Sequence, residues 1–156
     1  MPIATRLKWY LDASGVRYEV LPHPHSSSSR ETAREAHVPV DWFAKPVLLE
    51  DERGYVMAIV PASHRVDLPK LNRQLHRELE LAREREIAEL FHDCERGAMP
   101  PVGGPYRIPT VYDDSLEGHS EIYFEAGDHE DVVHLNGRDF LRLLEGSLHG
   151  RFSQRA

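Results

Sequence analysis

The sequence predicts a mixed α/β fold, and three observations carry the prediction. Apolar residues recur at helical spacing in some segments and alternate at strand spacing in others, and the two kinds interleave irregularly along the chain. One pair of segments reads as a hairpin, so the sheet has antiparallel neighbours as well as crossovers. The chain has 156 residues, 40% hydrophobic and 29% charged, the size and balance of one ordinary globular domain.

Each element has a local reason. Ile3, Leu7, Tyr10 and Leu11 share one helical face, and Gly15 offers an end to it. Residues 17–21 (RYEVL) alternate in the manner of a half-buried strand. Residues 22–29 (PHPHSSSS) are loop, because proline and short hydroxyl side chains both disfavour regular ladders. Ser28 followed by Glu31 has the spacing of a capping box, opening a short helix over residues 30–37. Residues 46–49 and 55–60 are strands around the turn EDERG. Asp67 caps a helix running to about Leu75, with Pro69 tolerated in its first turn. Ile87, Leu90 and Phe91 mark another helical face. Residues 110–112, 121–124 and 132–135 are further strands. Asn136, three residues before Asp139, caps a last helix bearing Phe140, Leu141 and Leu144. Neither an internal repeat nor a linker interrupts the chain, so residues 1–156 are expected to form a single domain.

Charge excludes some functions. Nineteen basic against 26 acidic side chains give a net charge of −7, which argues against a protein that coats nucleic acid by bulk charge. The deficit lies in the second half. Residues 113–131 hold Asp113, Asp114, Glu117, Glu121, Glu125, Asp128, Glu130 and Asp131 with no Lys or Arg among them. Residues 64–77 are the opposite: Arg65, Lys70, Arg73 and Arg77, flanked by His64 and His76, face only Asp67. Either cluster can equally be a solvated face. No apolar run approaches the ~18 residues of a membrane span, and residues 1–14 are amphipathic in pattern, unlike a secretory leader. Cys94 is the single cysteine, so an intrachain disulfide and a four-thiolate zinc site are both excluded. The expected compartment is the cytoplasm.

The segment from Cys94 to Gly104, CERGAMPPVGG, is a side-chain-poor loop stiffened by two adjacent prolines. Such a loop can present backbone N–H groups to a carbonyl or phosphate oxygen; it can also be a plain connection. It matches neither a dinucleotide fingerprint nor a Walker A loop. Lys45 is one of three lysines against sixteen arginines, and it opens the apolar run KPVLL. A lysine at a strand mouth can place a compact positive charge on a carbonyl or phosphate oxygen, or simply reach water. His23 and His25, or His92 with Cys94, supply too few ligands for zinc, and no HExxH occurs. No metal and no cofactor is expected. His129, in AGDHED, can hydrogen-bond a substrate, act as a base, or serve only as a turn residue. Cys94, between Asp93 and Glu95, lacks the electropositive setting of a nucleophile and is read as an inert thiol. A GxSxG elbow is absent too.

Taken in order, Lys45 with KPVLLE, VPASHRVDLPKL (residues 60–71), CERGAMPPVG, TVYDDSL (residues 110–116) and IYFEAGDHEDVVHL (residues 122–135) resemble the YbaK/EbsC family. That family comprises YbaK-type and ProX-type aminoacyl-tRNA deacylases and the editing domain inserted in many bacterial prolyl-tRNA synthetases. The resemblance spans roughly residues 3–145. It implies a strongly bent, partly barrel-like mixed sheet flanked by helices. It also implies hydrolysis of the ester joining a wrong amino acid to the 3′-terminal ribose of a tRNA, a second-sieve activity. By resemblance, Lys45 positions the aminoacyl ester or terminal adenosine, and Gly97, Ala98, Met99, Pro100 and Pro101 form the GxxxP loop whose amides hold the carbonyl. Gly127, His129, Asp113 and Ser115 border the pocket. The family uses no classical triad: backbone donors stabilise the oxyanion, and a positioned water or a substrate group attacks. One departure stands out. Alanyl-specific ProX-type members place asparagine directly after the lysine, where this chain has Pro46; that argues against alanine-only specificity and leaves cysteinyl-, seryl/threonyl- or another small aminoacyl-tRNA.

The partners implied are the acceptor end of mischarged aminoacyl-tRNA, gripped by Arg65, Lys70, Arg73 and Arg77, and an aminoacyl-tRNA synthetase; no membrane or DNA is implied. Two other readings belong to different classes. One is a catalytically inactive relative that binds tRNA or a synthetase as a regulator. The other is a metal-dependent hydrolase built on His23, His25 and His92, which a chelator would silence.

Overall fold

A computed structural model describes residues 3–156 of the chain. In order, the chain forms α1 (Thr5–Ser14), β1 (Glu19–Pro22), α2 (Ser29–Glu35), β2 (Phe43–Asp51), β3 (Gly54–Pro61), β4 (His64–Val66), α3 (Leu68–Leu75), β5 (Glu80–Leu81) and α4 (Glu84–Leu90). There follow β6 (Thr110–Asp113), β7 (Glu121–Glu125), β8 (Asp131–Asn136), α5 (Gly137–Leu143), β9 (Leu148–Gly150) and β10 (Ser153–Arg155). Seven strands run in the order β1-β8-β7-β2-β3-β6-β9, β5 adds to β2, and β10 pairs with β4 in a separate ribbon. The large sheet is mixed: β2 is antiparallel to β3 but parallel to β7.

The predicted caps are made by local side chains. Asp67 Oδ1 accepts from Lys70 N–H at 3.2 Å and Asn136 Oδ1 from Asp139 N–H at 2.8 Å. Ser28 Oγ accepts from Glu31 N–H at 3.1 Å, but the Glu31 carboxylate accepts from the Ser27 hydroxyl at 2.9 Å. Only half of the capping box is therefore present. The predicted strand over residues 17–21 exists as β1, yet three of its four residues are exposed rather than alternating, because it lies at the sheet's edge.

β2 and β3 extend beyond the predicted segments because both faces of the sheet are covered, which rewards continuous apolar sequence over alternation. Ala44, Leu48, Met57, Ile59 and Phe124 pack against Leu7 and Leu11 of α1 and Phe140 of α5. On the other face, Leu49, Val56 and Val60 meet Leu71 of α3 and Phe152, while Phe43 meets Ala33 of α2. This second face thus carries two separate clusters, one under α3 and one under α2. Their separation positions the site.

Candidate functional site

Lys45 stands between those two clusters. On β2 it shares a face with Phe43 on one side and Val47 and Leu49 on the other, and it is paired with Val60 of β3. The side chain is half-buried. No carboxylate among the described residues lies within 4.0 Å of its ammonium. Burial, followed by the charge of Arg30 on α2, lowers its pKa from 10.5. An unpaired, partly desolvated cation is costly to keep, and it is the electrostatic state that an incoming anion or polarised carbonyl would relieve.

Pro46 also follows from topology. β2 pairs with β7 through Phe43 and Ala44 and with β5 through Leu49 and Glu50, so residues 45–48 lack a strand neighbour on that side. The Ala62 N–H bond to Phe43 O, at 2.7 Å, sets the alternation that turns the Pro46 nitrogen toward this gap. A proline costs no ladder bond there.

The loop after α4 is the second component. Gly97 has φ 79°, a left-handed conformation that glycine adopts without strain. Ala98 N–H donates to Glu95 O at 3.0 Å, while the N–H groups of Gly97 and Met99 find no acceptor among the described residues. Pro100 and Pro101 have no N–H to offer. Of the five residues 97–101, then, two can present a donor. Ala98, Pro100 and Pro101 are buried and hold the loop in place. A cavity of about 370 Å³ backs the loop, lined by Ile87, Phe91, Cys94, Gly97 and Met99 among others; Lys45 is not among its walls.

Gly97 and Lys45 both lie near the start of α2. A Cβ on Gly97 would lie 3.8 Å from Ser27 O, and Arg30, three residues on, acts on Lys45. The same Cβ would lie 3.3 Å from His129 Nε2. That ring is buried, 2% exposed, with Nε2 2.7 Å from Arg96 O and Nδ1 2.8 Å from Glu125 Oε2. The second contact is an oblique ion pair, since Nδ1 lacks a well-aligned hydrogen-bond acceptor. With protein at both nitrogens, His129 faces inward and does not reach a substrate as the sequence suggests. Its pKa is raised from 6.5, chiefly by Glu125, with burial opposing. Glu125 also accepts from the Thr32 hydroxyl of α2 at 3.3 Å.

Other sequence candidates serve the scaffold. Gly127 (φ 110°) lies where a Cβ would come within 2.9 Å of Ala4 Cβ, and its carbonyl accepts from Glu95 N–H at 2.6 Å. Asp113, 3% exposed, accepts from Phe152 N–H at 2.9 Å and from Ser115 N–H at 3.0 Å, and it also bonds the Ser115 hydroxyl. Burial opposes its ionisation, but these hydrogen bonds win and hold the carboxyl below its ordinary range. Asp113 and Ser115 therefore tie β6 to the C-terminal segment, with both Asp113 oxygens already accepting within the fold.

The basic stretch divides in the same way. Arg65 and Arg73 are exposed and Lys70 half-exposed. Arg77 instead clasps Asp51 at the β2–β3 turn, Nε to Oδ2 at 2.6 Å, and donates to Gly54 O at 3.2 Å. It is a structural cation and not one of the free ones predicted. His23, His25 and His92 do not converge: His25 Nε2 lies 2.8 Å from Glu95 Oε1 and His23 Nδ1 2.7 Å from Pro24 O. Among the described residues, the ligand-type grouping is a partly exposed one of Asp114, Glu117 and His149, and it includes none of His23, His25 and His92. Cys94 packs against the Tyr106 hydroxyl at 3.4 Å, and burial pushes its thiol up to about 12. Alkylation by iodoacetamide at neutral pH is accordingly expected to be far slower than for free cysteine; labelling at the free-thiol rate would contradict this environment.

Arg30 and Glu125 escaped sequence reasoning. Arg30 opens the helix predicted over residues 30–37 with nothing in its spacing to mark it, and Glu125 was one of eight acids indistinguishable by charge. The one available signal was the four-residue spacing of Glu125 and His129.

Comparison with known proteins agrees with this architecture. A crystal structure assigned provisionally as a trans-editing enzyme for prolyl-tRNA synthetase superposes with a TM-score of 0.85 at 25% identity, over 99% of this chain and 98% of that one. A protein described only as hypothetical gives 0.84 at 20% identity, over 96% and 99%. A Marinobacter aquaeolei VT8 protein, provisionally assigned to signal transduction, gives 0.77 at 21% over 95% of this chain but only 30% of its own. Curated protein sequences return no match. Among the described residues no helix is long and apolar enough to cross a membrane. The profile of the aminoacyl-tRNA editing domain matches residues 23–143, a span that includes Lys45, the Gly97 loop and the Glu125–His129 pair, and the chain belongs to that family.

Proposed function

We propose that this chain is a trans-editing deacylase, which hydrolyses the ester between a wrong amino acid and the 3′-terminal ribose of a tRNA. The observation that carries the reading is Lys45: a half-buried cation without a carboxylate partner among the described residues, near the start of α2, which the Gly97 loop also approaches. Water attacks the ester carbonyl carbon, and the carbonyl oxygen becomes an oxyanion facing the Gly97 and Met99 N–H groups. Collapse breaks the bond to the ribose oxygen, which takes up a proton, releasing the free amino acid and the tRNA 3′ end. The Lys45 charge favours the negative transition state in a site from which water is partly excluded. No side-chain nucleophile is needed, consistent with the high pKa of Cys94. Pro46 in place of an amide side chain favours a small amino acid other than alanine alone. The same reading makes residues 1–156 one cytoplasmic editing domain that can act beside a synthetase.

The decisive experiment incubates the protein with a panel of mischarged tRNAs, with Lys45→Ala alongside. Release of the amino acid from one or more esters, lost in the variant, is expected. Retained tRNA binding with no deacylation of any ester would instead make the chain a regulator.

Binding to tRNA is assigned to Arg65, Lys70 and Arg73. Arg73→Glu is expected to weaken binding and to reduce the log–log salt slope by about one unit for each phosphate no longer neutralised. A slope unchanged in a salt titration would place tRNA binding elsewhere on the surface.

A further inference from the structure

The buried His129 ring has one hydrogen-bonded nitrogen and one that meets a carboxylate obliquely. Nε2 faces the Arg96 carbonyl oxygen at 2.7 Å and Nδ1 faces the Glu125 carboxylate at 2.8 Å. A neutral imidazole has one N–H and one lone pair, so either tautomer sets a lone pair against one of these oxygens. Both contacts are satisfied together only when His129 keeps its second proton, as an imidazolium facing the Glu125 carboxylate. Arg96 immediately precedes Gly97, and the adjoining turn has two further ties: Glu95 N–H to Gly127 O at 2.6 Å and Ala98 N–H to Glu95 O at 3.0 Å. His129 itself has φ 58°, a conformation uncommon for a side-chain-bearing residue that points its ring back at the loop.

We propose that His129, with Glu125, is a positioning residue: one buried proton shared by the pair locks the Glu95–Ala98 turn and thereby aims the Gly97 and Met99 N–H groups at the scissile carbonyl. The inference deepens the deacylase reading and rests on it for its catalytic consequence; the lock itself is a property of the fold. Glu125 extends it to α2 through the Thr32 hydroxyl, which also bonds Ser26. The loop, the β7–β8 turn and α2 are thus joined by one buried polar chain, whose members depend on one another. The other titratable groups around the turn are His25, whose ring centroid lies 5.7 Å from that of His129, Glu95, Asp128, Glu130 and Asp131. Burial, with Asp128 beside it, pushes Asp131 up to about 7, so a pH profile alone would not isolate the pair.

Three variants isolate it, His129→Ala being the simple truncation. Glu125→Gln supplies an amide that can donate to Nδ1, so neutral His129 is satisfied while Asp131 is untouched. His129→Gln keeps a donor able to reach Arg96 O but cannot titrate. Protection of the Glu95 and Ala98 amides against hydrogen exchange is measured by NMR across pH 5–9, with kcat and KM for the edited ester. In the wild type, protection is expected to fall as pH rises and His129 loses its second proton, and kcat to fall with it by roughly ten- to a hundredfold at constant KM. Both pH dependences should disappear in Glu125→Gln. His129→Ala should lose protection at every pH, and His129→Gln should recover it. Wild-type protection in His129→Ala, or an unchanged pH dependence in Glu125→Gln, overturns the proposal. Absence of deacylation in the wild type would defeat the functional reading, while the exchange data would still decide the lock.

Discussion

Lys45→Ala is expected to lower the deacylation rate constant about 10²–10³-fold, the loss that follows removal of one preorganised electrostatic contact to an oxyanion. The cause lies in the sheet. The face carrying α2 and α3 is apolar at Phe43, Val47, Leu49 and Val60, and Lys45 interrupts it without a carboxylate within 4.0 Å among the described residues. A cation so placed costs stability. Its folded pKa lies below the unfolded value, so the penalty applies at neutral pH and is relieved only as pH rises through the folded value toward the ordinary lysine range. Lys45→Met, which keeps most of the apolar stem and removes the charge, should therefore raise the melting temperature while abolishing most activity. This opposition of stability and activity distinguishes a functional lysine from a solvated strand-end one. A Met variant that is both fully active and no more stable would remove Lys45 from the mechanism.

Gly97→Ala is the second large effect, about ten- to a hundredfold in kcat. Two costs combine. At φ 79° an L side chain is strained, at about 1–2 kcal/mol, and the new methyl would stand 3.3 Å from His129 Nε2. The ring or the loop must shift by a few tenths of an ångström, and either shift redirects the donors on the loop. Gly118→Ala separates the two costs, because Gly118 has φ 84° and nothing within 4 Å of its Cβ position. Thermal unfolding should show the backbone cost in both variants, with a larger loss in Gly97→Ala, and only Gly97→Ala should slow deacylation. Equal rates in the two would reduce Gly97 to a turn glycine.

Elements with local causes were legible in advance. The side chains of Ser28, Asp67 and Asn136 accept from backbone amides three residues on, and such contacts need no knowledge of the rest of the chain. The β2–β3 hairpin was legible for the same reason. β4 and β10 were not, because their pairing joins His64 to Arg155 and neither three-residue segment carries a pattern of its own. Within the site, Lys45 was conspicuous as a rare lysine before an apolar run, and the glycine–proline composition marked the loop. Which loop amides remain free was not legible, since it depends on the turn that commits Ala98 N–H to Glu95 O.

Charged residues divide most sharply between the two levels. Arg73 and Arg77 look alike in a basic stretch, yet one is exposed and the other clasps Asp51. Glu125 and Glu130 look alike in an acidic one, yet the first is 1% exposed beneath His129 and the second is at the surface. By itself, the sequence determined the mixed α/β class, the helix caps, the rigid loop and a family resemblance, all of which follow from residue type and spacing. The tertiary structure decided which charges are free to meet a substrate and which are already paired within the fold, because a charge acquires its partner and its dielectric surroundings only when distant segments close around it.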